Sequence, residues 1–328
     1  MRGTTSSSTS ATATRTGAQP RPLTASSRRE AWRPISINEE FLTSASTTST
    51  TSLAVSLPEP YDFELSTERF RAFGPDLANL WDEGGVHRVV HGREFRIEAA
   101  PGGVDVEPLD EEIEPVARAV IGAEFELEPF YAWAEGDEVL RDLVPKLAGF
   151  RPPLAPDPYE TLVSAITAQQ VSLFAAFAIR NRMVERFGVR GVHAYEFPTR
   201  ERMAQAREEQ LTELGFSGRK AEYVLGVARA DIDFRTLRNL PDDDVKATLT
   251  ELRGLGDWTA DWFLARHLAR PRAWPAGDLG LVKAVSAFYF GGGKLSIAEV
   301  REAGARFDPF QNLAAHYLLT GYRTAPPA

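Results

Sequence analysis

Apolar residues recur along this 328-residue chain with two different rhythms. Between residues 86 and 107 they fall in short, partly alternating runs, 86–90, 94–98 and 103–107, with His91-Gly92 and Pro101-Gly102 at the breaks. Alternation with Gly and Pro at the breaks predicts an antiparallel meander. Segments 64–80 and 111–121 read as helices beside it. From about residue 147 the spacing becomes helical. Asp157-Pro158 supplies a capping side chain followed by proline at the first helical position. Leu162 and Ile166 lie one turn apart, and Phe174, Phe177, Val184 and Phe187 form the next stripe. Helices follow over 199–214, 217–230, 242–253, 258–268, 279–288, 296–307 and 310–322. Their short connections are those of a compact helical domain. Residues 1–54 are dominated by Ser and Thr and hold too little apolar surface to offset ordering, so a disordered tail is expected there. The pattern therefore predicts a mainly α chain in three parts: the tail 1–54, an α+β domain with an antiparallel sheet over 55–146, and a helical region over 147–328.

Composition narrows the chemistry. Apolar content of 43% supports real cores, and the absence of cysteine excludes disulfides, cysteine-ligated zinc and iron–sulfur clusters. No apolar run is long enough to span a bilayer, and the N-terminus lacks a continuous apolar signal core. An intracellular protein, cytoplasmic or nucleoid-associated and without membrane contact, is expected. The formal net charge is −9. The first 54 residues carry six Arg and three Glu, so all of the negative excess lies beyond them. This argues against broad, charge-driven coating of a polyanion. A local positive face remains open, because Arg219, Lys220, Arg253, Arg266, Arg270, Arg272 and Lys283 cluster in the later helices.

Two stretches carry candidate chemistry. In Leu252-Arg253-Gly254-Leu255-Gly256-Asp257-Trp258-Thr259-Ala260-Asp261, two glycines stand between a polar and an apolar helix. Glycine lets another backbone come close. The amides that open the next helix lack intrahelical partners and favour an anion. A nucleic-acid phosphate satisfies both conditions, and a plain glycine-ended corner would use the same residues. In the second stretch, Asp278 follows Pro275 and Gly277 and precedes Leu-Gly-Leu-Val-Lys-Ala-Val. Aspartate there is a good helix N-cap. A helix start favours negative charge, and a negative carboxylate is also what a developing oxocarbenium ion needs.

These strings, with Pro58-Glu59-Pro60-Tyr61-Asp62-Phe63, Ser164-Ala165-Ile166-Thr167-Ala168-Gln169-Gln170-Val171-Ser172 and Gly215-Phe216-Ser217-Gly218-Arg219-Lys220-Ala221, resemble the helix-hairpin-helix DNA glycosylases. Within them the match is to the 3-methyladenine DNA glycosylase II branch, over about residues 55 to 325. The resemblance implies a two-lobed helical core behind a small α+β domain. It implies hydrolysis of the N-glycosidic bond of alkylated purines in double-stranded DNA, with the damaged base flipped out of the helix. Asp278 would be the catalytic residue. Gly254, Leu255, Gly256, Asp257, Thr259, Ser217 and Lys220 would contact DNA, and Gln170 would fill the space left by the base. Trp258 and Trp262, which share a helix face, would line the base pocket, with Tyr61 and Phe174 and more weakly Phe130 and Tyr131. Electron-rich rings attract a cationic base by roughly 0.5–2 kcal/mol.

Relatives that also cut the strand carry lysine two residues after the second hairpin glycine; here that position is Trp258. A monofunctional enzyme without lyase activity follows. No metal or organic cofactor is expected, except a monovalent cation bridging the hairpin near Asp257. A monomer is expected. The chain departs from the family pattern at Gln311, often arginine, and at Leu319, often tryptophan. Two other readings stay open: a glycosylase for deaminated bases such as uracil or hypoxanthine, and a non-catalytic helix-hairpin-helix module that binds DNA.

Overall fold

The computed structural model describes residues 53–326. The tail read over 1–54 lies outside these residues, except that its last two positions belong to the first strand.

Five antiparallel strands form one sheet: β1 (Leu53–Ser56), β2 (Leu80–Asp82), β3 (Gly85–Val90), β4 (Arg93–Ala100) and β5 (Gly103–Glu107), in the order β1-β5-β4-β3-β2. The expected meander is its centre, with Val86 opposite Ile97 and Ile97 opposite Val106. Val86, Ile97, Val104 and Val106 bury completely beneath α3 (Ile113–Val120). The helix expected over 64–80 breaks early, into α1 (Phe63–Thr67) and α2 (Arg69–Ala72). Gly74, at φ +97°, and Pro75 stop it, and the chain turns to become β2.

The helices continue as α4 (Leu127–Ala134), α5 (Leu140–Leu143), α6 (Pro158–Ala168) and α7 (Leu173–Phe187). A small hairpin, β6 (Val189–Arg190) and β7 (Tyr195–Glu196), leads to α8 (Arg200–Ala204), α9 (Glu208–Glu213) and α10 (Gly218–Arg229). The remaining helices are α11 (Asp242–Thr250), α12 (Asp257–Arg266), α13 (Leu279–Tyr289), α14 (Ile297–Ala303) and α15 (Gln311–Thr324). Short-range caps start many of them: Asp157, Ser172, Ser217 and Asp278 each accept an N–H from two or three residues ahead.

Three apolar cores result. One lies under the sheet. A second packs α6 to α12 around Leu162, Val224, Leu249 and Phe263. The third joins α4 and α5 to α13, α14 and α15 around Phe130, Phe307 and Tyr317. Phe125, Leu127, Phe130 and Leu140 bury with the C-terminal helices, so the third core draws on segments from both sides of residue 146.

A buried ion network ties the sheet to the helices. Glu160 on α6 meets Arg88 of β3 at 2.5 Å and Arg180 of α7 at 2.7 Å, while Arg180 also pairs with Asp76 and Arg88 donates to Asn79. Burial pushes the Asp76 carboxyl up, but Arg180 and its hydrogen bonds outweigh this and hold it below the usual carboxylate range.

Candidate active site

A cleft of about 1120 Å³ runs between the second and third cores. Its walls come from α2, α6, α7, α12, the start of α13 and the end of α15. Asp278 lies half-buried in this cleft, on the same lining as Gly256, Trp258 and Trp262. Its Oδ1 caps α13, accepting the amides of Gly280 and Leu281 at 2.9 and 3.0 Å. Its Oδ2 accepts the indole N–H groups of Trp262 and Trp258 at 3.1 and 3.3 Å. Capping and cleft placement therefore coexist: four donors hold one carboxylate in a single orientation.

The two tryptophans contribute their edges as much as their faces. The guanidinium of Arg266 sits 3.6 Å above the Trp262 ring, and His316 packs against the same indole edge-on. A face expected to receive a cationic base already carries the protein's own cation. The Nε of Arg266 and Nε2 of His316 are buried without a hydrogen-bond partner. Burial lowers Arg69 to about 10 and pushes Arg266 well down, with Arg69 adding to the effect on Arg266. Burial and then Arg266 hold His316 far below the ordinary histidine range, so its imidazole is neutral. A guanidinium keeps its proton even so, and this end of the cleft is electropositive beside the Asp278 carboxylate.

The hairpin has the geometry its glycines suggested. Gly254 adopts φ +92°, and a Cβ there would lie 2.2 Å from the Tyr223 ring. Its carbonyl accepts the Gln169 amide at 2.9 Å, and Lys246 of α11 meets Asp261 of α12 at 2.6 Å. Gly256 is the N-cap of α12, and no side chain caps that helix, so the amides of Asp257 and Trp258 have no side-chain partner. Gly254→Ala places a side chain in the left-handed region and against the Tyr223 ring. The strain is about 1–3 kcal/mol before the ring moves. We expect affinity for a duplex with an abasic-site analogue to fall about tenfold, read by fluorescence anisotropy at fixed salt. Wild-type affinity in this variant would contradict the hairpin's role.

Other expected contacts are relocated. Leu255 buries its side chain in the second core, and its amide is used by the Leu252 carbonyl at 3.0 Å; neither reaches outward. Thr259 is buried in the cleft wall, with its amide on Gly256. Lys220 turns its ammonium onto the Thr167 carbonyl at 2.8 Å, closing the end of α6, and burial lowers its pKa. Ser217 is exposed but uses its hydroxyl to cap α10. Asp257 is exposed at the first position of α12 and does not cap it; its nearest cation is Arg301, at 4.0 Å.

Of the aromatic candidates, Trp258 and Trp262 line the cleft. Tyr61 instead packs edge-on against Phe63 on the sheet side, with burial raising its pKa. Phe130 and Tyr131 belong to the third core, where Tyr131 bonds Tyr317 at 2.8 Å. Phe174 is exposed, its edge on Phe73 at the rim. Apolar stripes near a motif do not say which core they fill. Gln170 is exposed at the cleft edge in the turn between α6 and α7, at φ +55°. Leu319, which replaces an aromatic residue of the family pattern, lines the cleft floor beside Gly280. Arg69 and Arg323 were not anticipated; they come from α2 and α15, and neither lies in a recognisable motif.

The site is thus a hairpin opening toward a cleft that holds one oriented carboxylate. The family "HhH-GPD superfamily base excision DNA repair protein" matches residues 163–307. The chain is 30% identical to the DNA-3-methyladenine glycosylase of Bacillus subtilis over 201 residues, 59% of this chain and 66% of the relative. It spans about two thirds or less of that relative and of a second, putative one from the same organism, of which 57% is covered. Among solved structures, a 3-methyladenine DNA glycosylase from Archaeoglobus fulgidus superposes with a TM-score of 0.75 at 29% identity, covering 83% of this chain and 98% of that one. The Schizosaccharomyces pombe 3-methyladenine DNA glycosylase, solved with abasic DNA, gives 0.52 at 26% identity, over 60% and 96%. Residues 163–307 thus match the helix-hairpin-helix base-excision superfamily, and the relatives most of the chain aligns with are 3-methyladenine DNA glycosylases.

Proposed function

We propose that this protein is a monofunctional base-excision glycosylase that hydrolyses the N-glycosidic bond of alkylated purines of the 3-methyladenine and 7-methylguanine type. It acts as a monomer on double-stranded DNA. The observation that carries this reading is the Asp278 carboxylate, held by four N–H donors inside a cleft beside the hairpin. The amides opening α12 take the phosphate, which sets position but reads no base. Gln170 enters the duplex as the base leaves it. Asp257 is the acidic group available to a cation bridging hairpin and phosphate, and no chemical step depends on that cation.

In the chemical step the C1′–N bond breaks heterolytically and its electron pair leaves with the base. A base alkylated on a ring nitrogen departs neutral and needs little acid assistance. The sugar develops oxocarbenium character, which the fixed negative charge of Asp278 stabilises without reorganisation. Water then adds at C1′ and loses its proton to Asp278 or solvent, leaving an abasic site. Trp258 offers no amine for a Schiff base, so the strand stays intact.

Incubation with methylated duplex DNA should release free 3-methyladenine and 7-methylguanine, read by chromatography and mass spectrometry. Borohydride should trap no covalent complex. Absence of release from any tested lesion would leave a DNA-binding module, and a trapped complex would remove the monofunctional reading.

One observation favours a second reading. Arg266, stacked on the Trp262 face with its Nε unbonded, suits a neutral base with acceptor edges, such as hypoxanthine, better than a cation. Comparing release from hypoxanthine-containing and methylated duplexes under single-turnover conditions separates the two.

A further inference from the structure

Away from the cleft, three side chains from separate elements converge. His87 of β3, Glu94 of β4 and His193 of the β6–β7 turn bring two imidazole nitrogens and a carboxylate oxygen within 4.8 Å of one another. None of the three lines the cleft. Both Nδ1 atoms lie 2.9 Å from the same oxygen, Glu94 Oε1, and the rings are 4.3 Å apart. The other carboxylate oxygen, Oε2, accepts the backbone amides of His193 at 2.9 Å and Ala194 at 3.4 Å; the His193 amide also lies 3.2 Å from Oε1. Main-chain donors thus orient the carboxylate and aim one oxygen at both rings. Gly191 is part of this arrangement, since a Cβ there would sit 2.3 Å from Glu94 Oε2.

We propose that His87, Glu94 and His193 form a binding site for a borderline divalent cation of the zinc type, a structural staple between the sheet and the connection from α7 to α8. Two imidazoles and one carboxylate are a three-ligand set for such an ion, and nitrogen donors select it over magnesium or calcium. At ligand distances of about 2.1 Å, the N···O separations need to open by only about 0.5 Å to subtend a tetrahedral angle. His87 and Glu94 are largely buried, with side-chain exposures of 7% and 11%, whereas His193 at 48% leaves an open side for entry and for water as fourth ligand. The amides on Oε2 are the outer hydrogen bonds that fix a metal-binding carboxylate. Without a cation, both rings present Nδ1–H to the same carboxylate oxygen. A divalent ion instead takes the Nδ1 lone pair of each ring, with the ring proton on Nε2, and its second positive charge is left for a bound water or hydroxide to share. The absence of cysteine removes thiolate zinc sites from this chain but leaves an imidazole–carboxylate site open.

The test uses the full chain, freed of metal by chelator, dialysed against zinc chloride and then metal-free buffer, with bound metal counted by mass spectrometry. Wild type should retain about one Zn²⁺ per chain. Its Tm should rise by about 5 °C or more in saturating zinc and stay unchanged in magnesium chloride at equal concentration. His193→Gln, at the exposed corner, should keep its circular dichroism spectrum and lose both effects, as should Glu94→Gln. The proposal is overturned if wild type retains no zinc and shows no zinc-specific shift, or if the variants retain as much as wild type. The wild-type comparison of zinc with magnesium requires no variant to fold, and it stands whatever base the cleft accepts.

Discussion

Asp278→Asn lowers the single-turnover rate of base release by about 10²–10³-fold, the equivalent of removing one preorganised electrostatic contact worth roughly 3–4 kcal/mol. The loss has two parts. The variant carries no charge toward the sugar. It also mismatches its surroundings, because all four neighbours of the carboxylate are N–H donors: two main-chain amides on Oδ1 and two indoles on Oδ2. An amide side chain turns its NH₂ toward one of these pairs, leaving buried donors facing donors at about 1–3 kcal/mol. Circular dichroism and affinity for abasic-analogue DNA separate the parts. Binding within a few-fold of wild type, with release abolished, isolates the charge. Release at the wild-type rate would remove Asp278 from the mechanism, and loss of helix content would show that capping of α13 is its larger contribution.

Glu160→Gln destabilises the fold by about 3–5 kcal/mol, a fall in Tm on the order of 10 °C. Glu160 is buried and is shared by Arg88 and Arg180, at 2.5 and 2.7 Å. Removing its charge leaves Asp76 as the remaining carboxylate paired with Arg180, and leaves Arg88 bonded to a neutral Asn79. Two guanidiniums then share one buried negative charge, which solvent cannot screen. Glu160, Arg180, Asp76 and Asn79 also line the cleft, so Gln170, just beyond α6, should shift as well. Thermal and denaturant unfolding check the prediction; a Tm within about 2 °C of wild type would mean that water or rearrangement compensates the network.

Not all of the site was equally legible in the chain. The hairpin glycines, the carboxylate before α13 and the Asp157 cap of α6 can be read because each depends on residues within a few positions of one another. Gly254 meets a backbone need at its own position, and Asp278 meets amides two and three residues on. The family resemblance added roles to these positions. It could not say which carbonyl Lys220 would reach, or that the Leu255 amide would already be used within the turn.

What local order cannot encode is convergence. Tyr61 and Phe130 carry the apolar character of a pocket wall, yet they fill other cores, because a buried ring is equally stable in any well-packed interior. Arg69, Arg266 and Arg323 come from three helices far apart in the chain and meet in one cleft. The segment from Phe125 to Leu154 packs with the last helices, not with the sheet it follows. Short-range steric and hydrogen-bond rules settled where helices begin and which residues could do chemistry. The charge around that chemistry was settled by burial of apolar surface between distant segments, which carries polar side chains into shared space that no stretch of neighbouring residues specifies.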